Sequence, residues 1–145
     1  MVKILANDGI SDAGKEKLEQ NSFVVDTNKI SQEDLIKTIN NENYEVLLVR
    51  SATTARKELI DSCPNLKIIG RGGVGMDNID VEYAKKKGLE IYNTPAASSN
   101  SVAELVFAHL FGIVRFLHES NRQMPLEGDS NFKELKKSYS GGTEL

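Results

Sequence analysis

The residues of this sequence that are best placed to do chemistry lie in one glycine-rich segment. Gly70, Gly72 and Gly75 match the G-x-G-x-x-G pattern of dinucleotide-binding loops, and they follow an apolar run typical of a buried strand. In such a loop the glycines open a helix directly, and an acidic residue follows about 20 residues later. Here the next helix start is Asp80, and the next apolar run ends at Asn93 without that acidic residue. The context therefore argues against nucleotide binding by this segment.

The same segment is suited to holding an anion. Consecutive backbone N–H groups in a glycine-rich turn form a concave anion site, and glycine lets a ligand approach closely. Arg50 and Arg71 each end an apolar run, so both are expected at the carboxyl edge of a parallel sheet. Guanidinium groups bind phosphate through paired hydrogen bonds. We therefore expect both arginines to point into one crevice beside the glycines.

Five short apolar runs alternate with helical patterns along the chain and indicate the elements that carry these residues. Strict alternation with short connections predicts strands that are parallel and buried on both faces. The fold class expected is α/β, with a flavodoxin-like, doubly wound, five-stranded parallel sheet whose ligands bind beyond the carboxyl ends of the strands. The predicted strands cover residues 2–6, 23–25, 46–49, 66–69 and 89–92.

Several polar residues are typical of helix starts. Ser31 opens a capping-box pattern, and Thr53 or Thr54 is expected to cap the helix that follows the third strand. Asp80 is expected to cap a further helix, which Gly88 would end.

The last third of the sequence has a different pattern. Residues 101–104 form a second capping box, and the apolar residues that follow point in nearly every direction around a helix over 99–120. Such a helix is expected to be buried against more than one neighbour. Residues 121–145 are polar, and only the stretch near 132–135 suggests a short helix.

Composition narrows the possible partners and surroundings. The net charge of −3 without a basic cluster argues against nucleic acid, and no run approaches the roughly 20 apolar residues of a membrane span. Cys63 is the only cysteine, which predicts a reducing, cytoplasmic setting, and its position suits a buried hydrophobe better than a nucleophile. His109 and His118 have no Asp, Glu or Cys at metal-ligand spacing, so no metal site is expected.

Four blocks in order, residues 49–53, 66–80, 88–95 and 102–105, resemble the D-isomer-specific 2-hydroxyacid dehydrogenases. The resemblance implies a two-domain, NAD-dependent enzyme that acts on a small 2-hydroxy acid. Residues 1–98 would form the body of its substrate-binding domain, 99–120 an interdomain helix, and 121–145 the approach to a nucleotide-binding domain. The catalytic groups and the main NAD site of the family would lie beyond Leu145, so this chain alone is expected to lack turnover.

The resemblance also assigns the glycine segment a ligand. The N–H groups of Gly73, Val74 and Gly75 would hold the substrate carboxylate, and Val74 would also contact the nicotinamide side of NAD. Arg50 and Arg71 would bind the phosphate of a phosphorylated 2-hydroxy acid.

Two further contacts follow from the same resemblance. Ser51 would add a hydroxyl or backbone contact to the substrate. Lys137 lies where the family often has a basic residue that reaches the substrate from a neighbouring subunit.

Two functions without turnover are alternatives to the enzyme. A phosphoacceptor signalling domain needs an aspartate at the end of the third strand, where Arg50 stands, and a lysine after the fifth, where Asn93 stands. That charge reversal argues strongly against it. A stand-alone anion-binding or dimerisation module stays open, and the apolar helix over 101–117 predicts a homodimer or other self-association.

Overall fold

The computed structural model describes residues 1–144, which divide into two compact units, Met1–Ala97 and the described residues from Ser98 onward. The first unit is a five-stranded parallel sheet with strand order β2-β1-β3-β4-β5, as the sequence predicts. Its elements are β1 Lys3–Ala6, α1 Asp12–Gln20, β2 Val24–Asp26, α2 Gln32–Glu42, β3 Val46–Val49, α3 Lys57–Ser62, β4 Ile68–Arg71, α4 Val81–Lys86 and β5 Glu90–Asn93.

The core of the first unit lies on both faces of this sheet. On one face Leu5, Leu47 and Ile69 are fully buried against α2, α3 and α4. On the other, Ile4 and Val46 pack with Leu18 of α1 in a smaller cluster. Burial of each large apolar side chain contributes about 1.5–3 kcal/mol, so the larger cluster supplies most of the stabilisation.

The helix starts of the first unit confirm part of the prediction. The Ser31 hydroxyl accepts the Asp34 N–H at 3.1 Å, which is the first of the two bonds of a capping box, and donates to the Asp34 carboxylate at 2.9 Å. Asp80 occupies the N-cap position of α4 as predicted, but its side chain makes no capping bond to that helix within residues 1–144. Gly88 after the helix has φ +87°, a left-handed conformation that favours glycine.

The prediction that Thr53 or Thr54 caps α3 is wrong. That helix begins at Lys57 with Arg56 as its N-cap. The Asp80 carboxylate, rather than a threonine, accepts the Lys57 N–H at 2.9 Å. The threonines lie in the preceding loop, where the Thr53 hydroxyl donates to the Asp8 carboxylate.

The second unit consists of two helices, α5 Ser99–Val114 and α6 Leu117–Ser140. The predicted capping box at 101–104 is wrong, because α5 begins at Ser99 and its N-cap Ser98 makes no side-chain capping bond within residues 1–144. The predicted helix over 99–120 is also interrupted, since Phe116 adopts a left-handed conformation with φ 53° and separates the two helices.

Residues 121–140 are helical, where the sequence predicts only a short helix near 132–135. Helix α6 accommodates Pro125 and is kinked at Asn131, whose φ of −130° lies outside the helical range. Helix-forming Glu, Lys and Leu residues in this stretch favour the helix despite its polarity.

The sequence predicts that helix α5 is buried, but the structure shows it exposed. In the described part of the chain it has no buried residue, and Leu105, Phe107 and Ile113 are 59%, 55% and 73% exposed. No single helix among residues 1–144 is long and apolar enough to cross a membrane, and only α5 and α6 together, bent by 51°, have the length and apolar content of a span.

Candidate functional site

The carboxyl ends of the strands in the first unit border a cavity of about 740 Å³. Ile10, Leu48 and Gly70 contribute its apolar wall. A Cβ atom at Gly70 would lie 2.7 Å from Leu48 Cδ2, so glycine permits the close packing there. The polar rim consists of Asp8, Arg50, Arg71, Gly72, Asn93 and Thr94.

A four-residue turn from Arg50 to Thr53 follows β3 and is held by the carboxylate of Asp8, whose side chain is 4% exposed. Asp8 Oδ2 accepts the Arg50 N–H at 2.7 Å and the Thr53 N–H at 3.0 Å, and Oδ1 accepts the Thr53 hydroxyl at 2.7 Å. Burial raises the pKa of Asp8, but these hydrogen bonds outweigh it and lower the pKa below its usual 3.8. Asp8 is therefore an ionised carboxylate that binds a backbone turn.

The opposite side of the same turn is held through its carbonyl groups. Asn78, which is 6% exposed, donates from Nδ2 to the Arg50 carbonyl at 2.8 Å and to the Thr53 carbonyl at 2.6 Å. Asn7 donates to the Thr53 hydroxyl at 2.9 Å. The backbone of the turn is thus fixed from both sides, while the Arg50 side chain is exposed.

Arg71 reaches the same crevice, but its guanidinium is occupied by the protein. Its side chain is 13% exposed, Nε donates to the Arg50 carbonyl at 3.3 Å, and Nη1 donates to the Gly75 carbonyl. Nη2 lies 4.0 Å from the Asp77 carboxylate. Arg71 therefore links the glycine loop to the Arg50 turn, which leaves Arg50 as the more accessible of the two cations.

The glycine loop opens no helix, in agreement with the argument against nucleotide binding, because residues 72–80 are irregular. Of the three N–H groups expected to bind a carboxylate, that of Gly73 donates to the Arg71 carbonyl at 3.0 Å. Those of Val74 and Gly75 have no hydrogen-bond partner among residues 1–144. Two adjacent N–H groups on an exposed loop thus stay free for an anion.

The end of β5 holds this loop in place. Asn93 donates from Nδ2 to the Val74 carbonyl at 2.7 Å, and the Thr94 N–H donates to the Gly73 carbonyl at 3.1 Å. Because both carbonyls are bound from the β5 side, the peptide groups of the loop are oriented by the sheet.

A second cavity of about 470 Å³ adjoins the first, and Arg50 and Asp8 border both. Ser51 and Ala52 line it, and their N–H groups have no hydrogen-bond partner in the described part of the chain. Lys29 also lines it, is 67% exposed, and has its Nζ 3.9 Å from the Asp8 carboxylate. The cavity therefore offers two cations and two free N–H groups.

Six of the seven predicted substrate-binding residues lie in the first unit, whereas Lys137 lies on α6 of the second unit and is exposed. Arg50, Ser51 and Arg71 line the two cavities, but Gly73, Val74 and Gly75 line neither and lie on the adjoining loop, which Arg71 links to the Arg50 turn. The assignment of Lys137 to the substrate stays a prediction. The six residues of the first unit are Arg50, Ser51, Arg71, Gly73, Val74 and Gly75.

Sequence reasoning missed four residues that shape the site, namely Asp8, Lys29, Asn78 and Asn93. Asp8 and Asn93 end or follow apolar runs, so their position at the carboxyl edge was available as a signal. Asn78 and Lys29 lie in loops, and only the tertiary fold brings them to the Arg50 turn.

The cysteine and the two histidines lie outside this site. Cys63 is 1% exposed, and burial raises its pKa to about 11, which confirms a buried hydrophobe. His109 and His118 are exposed on α5 and α6. Within residues 1–144, no three His, Cys, Asp or Glu side chains lie together in a way that could hold a metal ion.

The sequence matches a family model described as the D-isomer specific 2-hydroxyacid dehydrogenase catalytic domain over residues 4–140. It is 38% identical over 124 residues to a D-3-phosphoglycerate dehydrogenase from Methanocaldococcus jannaschii, covering 86% of this chain and 23% of that protein. It is 40% identical over 122 residues to a hydroxypyruvate reductase from Thermotoga maritima, covering 84% of this chain and 37% of that protein.

Solved structures agree with these matches. The crystal structure of an NAD+-bound 3-phosphoglycerate dehydrogenase from Entamoeba histolytica aligns with a TM-score of 0.62 and 29% identity. The alignment covers 79% of this chain and 39% of that one. The chain thus spans well under half the length of each of these proteins.

Proposed function

The chain belongs to the D-isomer specific 2-hydroxyacid dehydrogenase family, and from that premise we propose that its first unit binds the substrate of an NAD-dependent dehydrogenase. The substrate proposed is a small phosphorylated 2-hydroxy acid, with D-3-phosphoglycerate as the first candidate. The observation that carries this proposal is the Arg50 turn, where an exposed cation stands on a backbone fixed by Asp8 and Asn78. Relatives named D-3-phosphoglycerate dehydrogenase support the choice of substrate.

The two anionic ends of the substrate are proposed to bind at different places. The free N–H groups of Val74 and Gly75 suit the carboxylate, because adjacent N–H donors in a turn form an anion site. Arg50 and the N–H group of Ser51 suit the phosphate, since a guanidinium pairs with two phosphate oxygens. Arg71 then acts mainly by holding the loop and the turn together.

The cofactor in this proposal is NAD. Val74 is 53% exposed on the loop and is proposed to contact the nicotinamide, next to the bound carboxylate. That arrangement would place the hydroxyl-bearing carbon of the substrate near the hydride acceptor. We expect the 145-residue chain to bind substrate without oxidising it, because the residues that the resemblance assigns to it are binding groups and none is a catalytic acid or base.

The expected absence of turnover is checked by mixing the purified chain with NAD and D-3-phosphoglycerate and following the absorbance of reduced nicotinamide. We expect no increase above a protein-free control. Turnover that copurifies with the chain through several columns would overturn the proposal that it only binds the substrate.

Binding is tested by titrating 3-phosphoglycerate into the ¹⁵N-labelled chain and following backbone amide shifts. Affinity near the millimolar range, or about −4 kcal/mol, is expected for one domain acting alone, and added salt should weaken it. Shifts should map to Arg50, Ser51, Val74 and Gly75.

The matched variants for that titration are Arg50→Ala and Arg122→Ala, since the second removes the same side chain from α6. We expect Arg50→Ala to remove most of the response and Arg122→Ala to leave it unchanged. Equal loss in both variants, or shifts confined to α5 and α6, would contradict the site.

A further inference from the structure

Asp8 has a setting that ordinary ion pairing does not explain. It is an almost fully buried carboxylate, yet the nearest cation, Lys29 Nζ, is 3.9 Å away and 67% exposed. All three of its hydrogen bonds come from one short turn, and two of the donors are the backbone N–H groups at the two ends of that turn.

We infer that Asp8 is a positioning residue, which sets the backbone of residues 50–53 so that the Arg50 side chain and the Ser51 and Ala52 N–H groups can bind an anion. This inference rests on the proposed function, because it concerns the same anion site. A single oxygen, Asp8 Oδ2, accepts from both Arg50 and Thr53, and this fixes the distance between the ends of the turn. The N–H groups of the two middle residues keep no partner within residues 1–144 and line the 470 Å³ cavity.

The charge of Asp8 provides a way to test this role. A carboxylate that borders both cavities repels any anion bound there. If its charge were its main influence on the site, replacing Asp8 with neutral asparagine would strengthen anion binding. If it acts by holding the turn, the same replacement weakens binding despite the lost repulsion. The two effects therefore have opposite signs.

Asp8→Asn keeps the shape of the side chain but weakens its bonds to the turn, since an amide accepts less strongly and at one oxygen only. We expect the dissociation constant of the Asp8→Asn variant for 3-phosphoglycerate, measured by amide shifts, to be about tenfold higher than that of the native chain. The exchange rates of the Arg50 and Thr53 amide hydrogens with solvent should also rise in the free protein.

Asp26→Asn is the matched control. Asp26 ends β2 and likewise accepts hydrogen bonds, from the Tyr44 hydroxyl at 2.6 Å and the Asn28 N–H at 2.8 Å, but it borders neither cavity. Its replacement should cost stability without changing the dissociation constant by more than about twofold. If Asp8→Asn loses affinity and Asp26→Asn does not, the loss comes from the positioning of the turn and not from a general loss of stability.

A second pair of variants leaves the charge of Asp8 in place and serves if Asp8→Asn does not fold. Thr53→Val removes the hydroxyl that donates to Asp8 at nearly constant volume, whereas Thr53→Ser retains it. We expect about threefold weaker binding in Thr53→Val and unchanged binding in Thr53→Ser. Tighter or unchanged binding in Asp8→Asn, or in Thr53→Val if Asp8→Asn is unfolded, overturns the inference. Absence of binding by the native chain contradicts the proposed function instead.

Discussion

The two units of this chain use the same apolar residue types in opposite ways. In the first unit Leu47 and Ile69 are fully buried in the sheet, whereas in the second unit Leu105 and Ile113 are 59% and 73% exposed. Within the described part of the second unit, Leu135 of α6 is the one large apolar residue that is buried. The first unit therefore has a core of its own, and the apolar surface of α5 is available to another surface.

The difference follows from how each element meets its neighbours. Central parallel strands have strands on both sides and helices across a face, so apolar runs such as Val46–Val49 are enclosed. A pair of helices can cover only one stripe of each partner, and α5 is apolar around most of its circumference. Its exposed residues are therefore the expected result of the pairing.

Truncation of the same residue type in each unit provides the most direct check of this contrast. Leu47→Ala should lower the free energy of unfolding by about 2–5 kcal/mol, because it leaves a cavity in the core. Leu105→Ala should change it by no more than about 0.5 kcal/mol. Urea unfolding of the two variants at low protein concentration measures both values, and equal losses would show that α5 is as well packed as the sheet.

Self-association is the second expected consequence of the exposed α5 surface. Phe111 and Phe132 are each 53% exposed, the first on α5 and the second on α6. If the chain associates through α5, Phe111→Ser should weaken association by about 1.5–3 kcal/mol, the value of burying one such side chain. Phe132→Ser should have little effect.

Sedimentation equilibrium at several protein concentrations measures these association constants. A native chain that stays monomeric throughout, with α5 amides protected from hydrogen exchange, would contradict the prediction. If both substitutions weakened association equally, the contact surface would include α6 as well as α5.

The two units also differ in how their helices are capped, and the expected effects on stability are smaller. The Ser31 side chain caps α2, whereas Ser98 makes no side-chain capping bond among the residues described. Ser31→Ala should therefore lower the free energy of unfolding by about 1 kcal/mol. We expect no measurable change in Ser98→Ala, and a loss of similar size would indicate a capping bond in solution.

The carboxyl edge of the first unit should also make its stability depend on pH. The Tyr44 hydroxyl bond, followed by the Asn28 N–H bond, lowers the pKa of Asp26 below its usual 3.8. A lowered pKa in the folded state gives stability that is present above pH 3.8 and is lost as the pH falls through the folded value. Tyr44→Phe should reduce the part of the free energy of unfolding that is lost in acid, by at most about 1 kcal/mol. Urea unfolding measured between pH 3 and pH 6 checks this.

The sequence predicts the first unit well and the second poorly, for physical reasons. Apolar runs and their alternation with helices specify the five strands, and the position of Arg50 after a run places it at the carboxyl edge. The bonds of Asp8 and Asn78 to the Arg50 turn join residues 25 to 45 positions apart, which no local pattern contains.

The bonds of the Arg71 guanidinium to the Arg50 and Gly75 carbonyls also depend on the folded loop and lie outside any local pattern, so the binding of phosphate by Arg71 stays a prediction. The length of helix α6 does not follow from apolar periodicity, because residues 121–140 are mostly polar, but many of them are good helix formers.

The central claim is that the Arg50 turn recognises a phosphate on a small hydroxy acid. The most direct measurement compares the dissociation constants of D-3-phosphoglycerate and D-glycerate for the native chain by amide shifts, since the two ligands differ only in the phosphate. We predict that 3-phosphoglycerate binds at least about tenfold more tightly, the value of about 1.4 kcal/mol expected for a charged hydrogen-bonded contact, and that Arg50→Ala removes the preference. Equal affinities for the two ligands, or a preference that survives in Arg50→Ala, would contradict the claim.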